Sequence, residues 1–429
     1  MILLGAGSSV PFEIPGMLGF TENFKEHIES KDNDDFNNLL SKIEESISKS
    51  EEILDISLSF DLEMLLSILT DLSGAIGGKP ITIPTSSFLI YHHFDHIGNA
   101  RKEYGSNSLS LLNLLRDFIF KICIDPIEKG KNEGNFHFLD HFYGPLMTIL
   151  NQADLSNIQP IIGNIFSTNW DLCFKTWSDY MNITINDGTA IDNQSYPFLN
   201  LEKFAEIHEK RGIGFNYVPL HGSHDFIHIE RPKGSGTYQD IQKISDSIGY
   251  FQNNPDNIKN IFMIYPLEAV GIEESIKSPY LDMVYSFKRT LEREEDVIVI
   301  GYSMRDPTIG SIFEEVIAKR IRQGHIKPLS SDIYQRRTEA HEHKLNIIVI
   351  NRNPKKLFEN MEKLGYINLS KTFIPIEVEF PKITDLEFNK KYREELIKMI
   401  AGLLEIKYIN PDNFNAVQGA LRDRYKIEV

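Results

Sequence analysis

Two cysteines in 429 residues, Cys123 and Cys173, are too few for a disulfide framework or for a cysteine-rich zinc site. Such usage fits a reducing compartment. Positive charge is short as well: 45 Lys and Arg against 61 Asp and Glu leave a formal charge of −16. That is the wrong sign for a broad surface that binds nucleic acid by releasing counterions, although a local groove stays open. No apolar run reaches the roughly 18–20 residues of a membrane-spanning helix. The opening Met1-Ile2-Leu3-Leu4 has no basic flank and runs at once into a glycine turn, unlike an export signal. The expected setting is the cytoplasm, with no membrane partner.

What the chain has is apolar and aromatic mass, 41% and 11% of residues, enough to bury large cores. At about 100–200 residues per domain, two to three structural units are expected. Residues from about 30 to 150 read as helical: Leu39, Leu40, Ile43 and Ile47 recur at helical spacing among charges, and Leu111, Leu112, Leu114, Leu115, Phe118 and Ile119 form another stripe. The acidic stretch from Asp32 to Glu52 reads as a solvated helix face. From about 155 onward short apolar runs alternate with helices, at Ile161–Phe166, Val218–Leu220, Ile261–Ile264, Val297–Ile300 and Leu345–Ile350, with a further one at Phe373–Phe380. Unbroken Val/Ile runs such as Val297–Ile300 belong to parallel strands buried on both faces. The fold class predicted is α/β, a doubly wound, Rossmann-like parallel sheet. Its segments are 1–29 and 151–385, with a helical module inserted over 30–150 and a C-terminal helix and tail over 386–429.

Four motifs follow strand candidates, at the carboxyl ends where open α/β sheets bind ligands. The first is Gly5-Ala6-Gly7-Ser8-Ser9 with Ile14-Pro15 close behind, an apolar strand running into a glycine turn. Gly5 and Gly7 allow close approach of backbone to a pyrophosphate, and the N–H groups opening the next helix supply donors. A Gly-x-Gly turn can equally be purely structural. The others are Ser167-Thr168-Asn169-Trp170-Asp171, Leu220-His221-Gly222-Ser223, and Gly301-Tyr302-Ser303-Met304-Arg305-Asp306. Asn169 can orient hydroxyls by donating and accepting, or can cap the following helix. His221 can take a proton near neutral pH, or be a buried histidine bonded to backbone. Asp306 before Pro307 can cap a helix or support a cofactor loop.

In this order the motifs resemble the sirtuin family, most closely the sirtuin-like NAD-hydrolase domains of prokaryotic antiphage defence proteins, over about 1–30 and 155–385. The resemblance implies a sirtuin-like fold and cleavage of NAD to nicotinamide and ADP-ribose. Asn169 and His221 would then be the catalytic pair. Gly5, Ala6, Gly7 and Ser8 would hold the pyrophosphate, Ser9, Ile14, Pro15 and Thr168 would also belong to the cofactor-binding set, and Asp171 would serve it by fixing the loop as a hydrogen-bond acceptor. Gly301, Ser303 and Asp306, with Tyr302 between them, would line the adenosine side or brace the loop that does. It further implies regulation by homo-oligomerisation or by a partner, an ATPase of the HerA type ahead of a short Argonaute, docking on the helical module. Two departures matter. The deacetylases' Asp-Phe-Arg after Ile-Pro is replaced by Gly16-Met17, and two cysteines cannot build their zinc ribbon, so protein deacetylation is disfavoured. An NAD or ADP-ribose sensor without turnover is the rival reading, followed by a metal-dependent nuclease subunit. The pairs His92/His96 and His137/His141 lack the glutamate of a zincin, and the group His221, His224, His228 has no further ligand signature, so no metal site is expected. The aromatic run Phe136–Tyr143 reads as packing.

Overall fold

The structure, a computed structural model, describes residues 1–54, 60–73, 97–134, most of 136–144, 162–191, 197–199, 214–263 apart from 234, 235 and 245, 280–326 apart from 295, 328–329, and 346–377. The C-terminal helix and tail expected over 386–429, the pair His92/His96 and His141 lie outside the described residues.

Seven parallel strands form the central sheet: β1 (Ile2–Leu4), β2 (Ile162–Ser167), β3 (Thr184–Asn186), β6 (Gly214–Pro219), β10 (Asp296–Ile300), β11 (Asn346–Asn351) and β12 (Phe373–Glu377). Their order is β12-β11-β10-β1-β2-β6-β3. The chain starts at the centre, winds outward through β2 and β6, then returns to β10 on the other side of β1. That reversal opens a crevice at the carboxyl end of β1, where the flanking connections leave on opposite faces. The predicted doubly wound α/β sheet is therefore what the chain forms.

Strand alternation explains why the Val/Ile runs are unbroken, since successive side chains point to opposite faces. Ile2, Leu4, Ile298, Ile300, Ile348 and Ile350 join one apolar cluster; Leu3, Val297, Val299, Ile347 and Val349 join the other. The first face is covered by α1 (Met17–Glu29), α2 (Asp34–Leu54), α3 (Leu62–Ser73) and α4 (Ile97–Glu133), the second by α7 (Tyr280–Leu291), α8 (Pro307–Arg322), α9 (Pro354–Lys363) and the short α10 (Ile367–Ser370). In α2 the sequence reading holds residue by residue. Asn33 caps its start, accepting from Phe36 N–H at 3.1 Å, and Leu39, Leu40, Ile43 and Ile47 are buried. The helical stretch predicted as an insertion thus shares one core with the sheet it covers. Phe142 and Tyr143 pack on Phe12, and Tyr143 also on Phe174 and Trp177, so this part of the aromatic run packs the helical elements on one another.

A second sheet corrects one strand assignment. Ile261–Ile264 is predicted with the parallel strands, but β9 (Ile261–Met263) pairs antiparallel with β7 (Gly222–Lys233). With β4 (Thr189–Ile191), β5 (Pro197–Leu199) and β8 (Gly236–Lys243) they form a five-stranded sheet of order β4-β5-β8-β7-β9. Three buried apolar residues fit either sheet, and only pairing partners distant in sequence decide between them.

Candidate active site

Strand register delivers the four motifs to one edge. Leu4 is level with Ser167 on one side and Ile300 on the other, and Ser167 is level with Pro219. The next residues, Gly5, Thr168, Gly301 and Leu220, therefore leave the sheet side by side. Backbone bonds lock the exits: Gly5 N–H donates to Ile300 O at 2.8 Å, Thr168 N–H to Leu4 O at 2.9 Å, and Leu220 N–H to Ser167 O at 2.7 Å.

Glycines at two of these exits are required by backbone touching backbone. A Cβ on Gly5 would lie 2.5 Å from Tyr302 Cα, and one on Gly7 would lie 2.8 Å from Gly301 Cα. Gly301 itself has φ +63, and its Cβ would fall 2.4 Å from Ser8 N. Gly7 N–H donates to Gly301 O at 2.9 Å, and Ser8 N–H to Gly5 O at 2.8 Å. The donors expected to face a pyrophosphate at Gly5, Gly7 and Ser8 are thus engaged within the protein. The element that follows is a 3-10 helix, Ala6–Phe12, rather than an α-helix; α1 begins only at Met17.

Asn169 is held by the serines of that turn. Its Nδ2 donates to Ser8 Oγ at 3.0 Å and Ser9 Oγ at 2.8 Å, and Ser9 Oγ donates to Asp171 Oδ2 at 2.6 Å. Asp171 Oδ1 accepts from Cys173 N–H at 2.9 Å, at the start of α5 (Cys173–Tyr180). A carboxylate only accepts, so Ser9 must donate to it and receive from the amide. This fixes the amide's orientation and leaves Asn169 Oδ1, buried, with no hydrogen-bond partner among the described residues. Asn169 therefore does not cap α5; Leu172 occupies the cap position.

His221 stands two residues beyond Pro219, as Asn169 stands two beyond Ser167. Trp170 Nε1 donates to His221 O at 3.1 Å and ties the two loops together. His221 Nε2 lies 2.8 Å from Asp306 Oδ2, both side chains 2% exposed. Asp306 Oδ1 meanwhile accepts from Thr308 N–H at 2.8 Å and Ile309 N–H at 3.2 Å, capping α8. Asp306 is thus a helix cap that also grips the histidine. In the neutral ring with Nε2–H donating to the carboxylate, a lone pair is left on Nδ1, which is buried and without a partner among the described residues. Asn169 Oδ1 and His221 Nδ1 are uncommitted acceptors, and the hydroxyls of Ser223 and Tyr302 in the same motifs are open beside them. Buried polar atoms left open in this way are completed by ordered water or by a bound group.

The other predicted residues are less directly placed. Ile14 is buried in the core beneath α1, Pro15 is half-buried, and Thr168 Oγ1 donates to Leu4 O at 3.2 Å. Tyr302 is buried in the cluster on the α7/α8 face with its hydroxyl unpartnered, whereas Ser303 is exposed. Sequence reasoning missed the His221–Asp306 pair, because nothing local links positions 85 residues apart. It also missed a buried charge cluster behind the site. Lys175 Nζ is 2.7 Å from Asp225 and 3.4 Å from Asp187, which also meets Lys243 at 2.6 Å. Burial alone pushes the Asp187 carboxyl up, but Lys175 and Lys243 together hold it well below the ordinary carboxylate range. The cluster ties α5 to the base of β7, the strand that leaves His221.

His224 is fully buried, with both ring nitrogens unpartnered and its edge against Phe120 of α4 at 5.4 Å. Burial pushes its imidazole down to about 4 from 6.5. The unfolded chain takes a proton near pH 6.5 that the folded chain refuses until about 4, so stability is lost as pH falls through that window. Between pH 7 and 5 this one group removes about 2 kcal/mol. His224→Leu is expected to abolish that part of the acid sensitivity, read as a smaller drop in urea midpoint between the two pH values.

Among the described residues no helix is long and apolar enough to cross a membrane, and no group of three or more His, Cys, Asp or Glu could hold a metal ion. Compared with known proteins, the chain matches no family model and has no significant match to a characterised protein.

Proposed function

We propose that this chain hydrolyses NAD to nicotinamide and ADP-ribose. The observation that carries the reading is the pair of buried, unpartnered acceptors, Asn169 Oδ1 and His221 Nδ1, on neighbouring loops at the switch-point crevice. Cleavage of a nicotinamide–ribose bond passes through an oxocarbenium-like centre and needs a hydroxyl proton removed under control. His221 Nδ1 accepts that proton from water or a ribose hydroxyl, while Asp306 orients the ring and balances the charge it gains. Asn169 Oδ1 accepts from the second hydroxyl and holds it in line. Depletion of NAD is the output of abortive-infection antiphage defence, the role that the motif resemblance implies. An enzyme of this kind needs restraint, supplied by homo-oligomerisation or by an ATPase-type partner of the HerA class, with a short Argonaute as the alternative.

The test is nicotinamide release from NAD by the full-length chain, alone and with an ATPase-type partner, in magnesium and in chelator. Release that persists in chelator and falls at least ~100-fold in Asn169→Ala is expected. NAD bound but never cleaved would make the chain a sensor, and neither binding nor cleavage would overturn the reading altogether.

A further inference from the structure

Successive residues of the turn after β10 are pulled three ways. Met304 is fully buried in the cluster with Tyr302, Ile309 and Phe313. Arg305 reaches across to the helical layer, where its Nη1 donates to Asp61 Oδ2 at 2.8 Å. Asp306 turns inward to His221. To split the directions this way Met304 adopts φ 56, a left-handed conformation that a non-glycine residue holds only when its surroundings impose it. The turn is therefore kept in shape by contacts at its ends, of which the Arg305–Asp61 pair is one.

We infer that Asp61 and Arg305 are positioning residues of the site, through which the helical layer covering the sheet holds Asp306 against His221. Asp61 is a firm anchor: its Oδ1 accepts from Met64 N–H at 3.2 Å and its carbonyl from Leu65 N–H at 3.0 Å, so it caps α3 while gripping Arg305. Beside it Glu63, in the first turn of α3, has its carboxyl pushed up to about 8 by burial and by the charges of Asp61 and Asp306. A carboxylate of the helical layer thus acts on a histidine of the sheet through two links, Arg305 and the strained turn. This inference concerns the same site as the proposed NAD hydrolysis, but its geometry is independent of the substrate.

Asp61→Asn is the informative variant, because asparagine keeps the helix cap and removes only the charge. In the full-length protein it is expected to speed hydrogen exchange at the Thr308 and Ile309 amides, the groups that Asp306 caps, by about 10-fold or more. It should also alter the nitrogen-15 spectrum of the His221 imidazole away from the Nε2–H tautomer. Arg305→Gln should reproduce both changes, and the double variant should add little to either single one. If the protein turns over NAD, kcat should fall about 10–100-fold with KM nearly constant. Amide exchange and an imidazole spectrum identical to those of the unsubstituted protein would overturn the inference. Absence of NAD cleavage with both spectroscopic changes present would overturn the proposed reaction and leave the positioning role standing.

Discussion

Replacement of His221 by alanine is expected to lower NAD cleavage by about 10²–10⁴-fold, the range that a positioned base contributes. KM should change far less than kcat, because the lone pair on Nδ1 contributes at most one hydrogen bond when substrate docks and takes the whole proton as the bond breaks. Asp306→Asn is the sharper companion. Asparagine still caps α8 through its carbonyl oxygen, so stability should stay within about 1 kcal/mol. Its amide, however, presents a donor toward Nε2 in place of the carboxylate acceptor, which reverses the histidine tautomer and places the proton on Nδ1. A loss in kcat approaching that of His221→Ala, with thermal stability preserved, is the expected result. Full turnover by Asp306→Asn would remove the carboxylate from the mechanism and leave it only as the helix cap.

Gly301→Ala is expected to destabilise the fold by about 3–5 kcal/mol, near the upper end for a single substitution. Two effects combine there. The residue has φ +63, a conformation costing an L-residue about 1–2 kcal/mol. The added Cβ would also meet Ser8 N at 2.4 Å and Gly7 C at 2.5 Å, backbone atoms that cannot swing aside. Gly324→Ala separates the two terms, because Gly324 has φ +71 and nothing within 4 Å of the new atom. It should cost only the conformational part. Urea unfolding of the two variants reads the difference directly, and equal losses would show that the contact between the two glycine turns contributes nothing.

That contact alters how the glycine turn is understood. Gly5 and Gly7 were legible in the sequence as a turn at a strand's end, and a phosphate loop is one reason for such glycines. The structure supplies another: β1 and β10 are adjacent, and their two turns leave the sheet at the same level with room for no Cβ between them. A Gly7 substitution therefore disturbs the fold whether or not phosphate binds, and cannot by itself report on ligand. Ser8 and Ser9 show the same shift of emphasis. Their hydroxyls fix the amide of Asn169, so they act on the candidate chemistry through that side chain.

Much of the architecture follows from periodicity alone. The apolar runs at Val297–Ile300 and in β11 are doubly buried, as unbroken Val and Ile demand, and Leu39 to Ile47 line the inner face of one helix. These patterns are local, because side-chain direction repeats every 2 or 3.6 residues regardless of what lies opposite. The four motifs were likewise visible as residue types at strand ends. Their meeting at one crevice follows from strand order, which periodicity does not encode. The antiparallel sheet was missed for the same reason: Ile261–Met263 is apolar enough for either sheet, and pairing with β7 decides it. Most of the site's logic is tertiary too. Asp306 reaches His221 across 85 residues of sequence, and Arg305 reaches Asp61 across 244. Which carboxylate holds which base depends on distances that exist only once the sheet has closed around β1. By itself the sequence determined that this is a doubly wound α/β protein with polar motifs at its strand ends. Only the tertiary structure decided which of those polar groups satisfy one another and which, Asn169 Oδ1 and His221 Nδ1 among them, are left open.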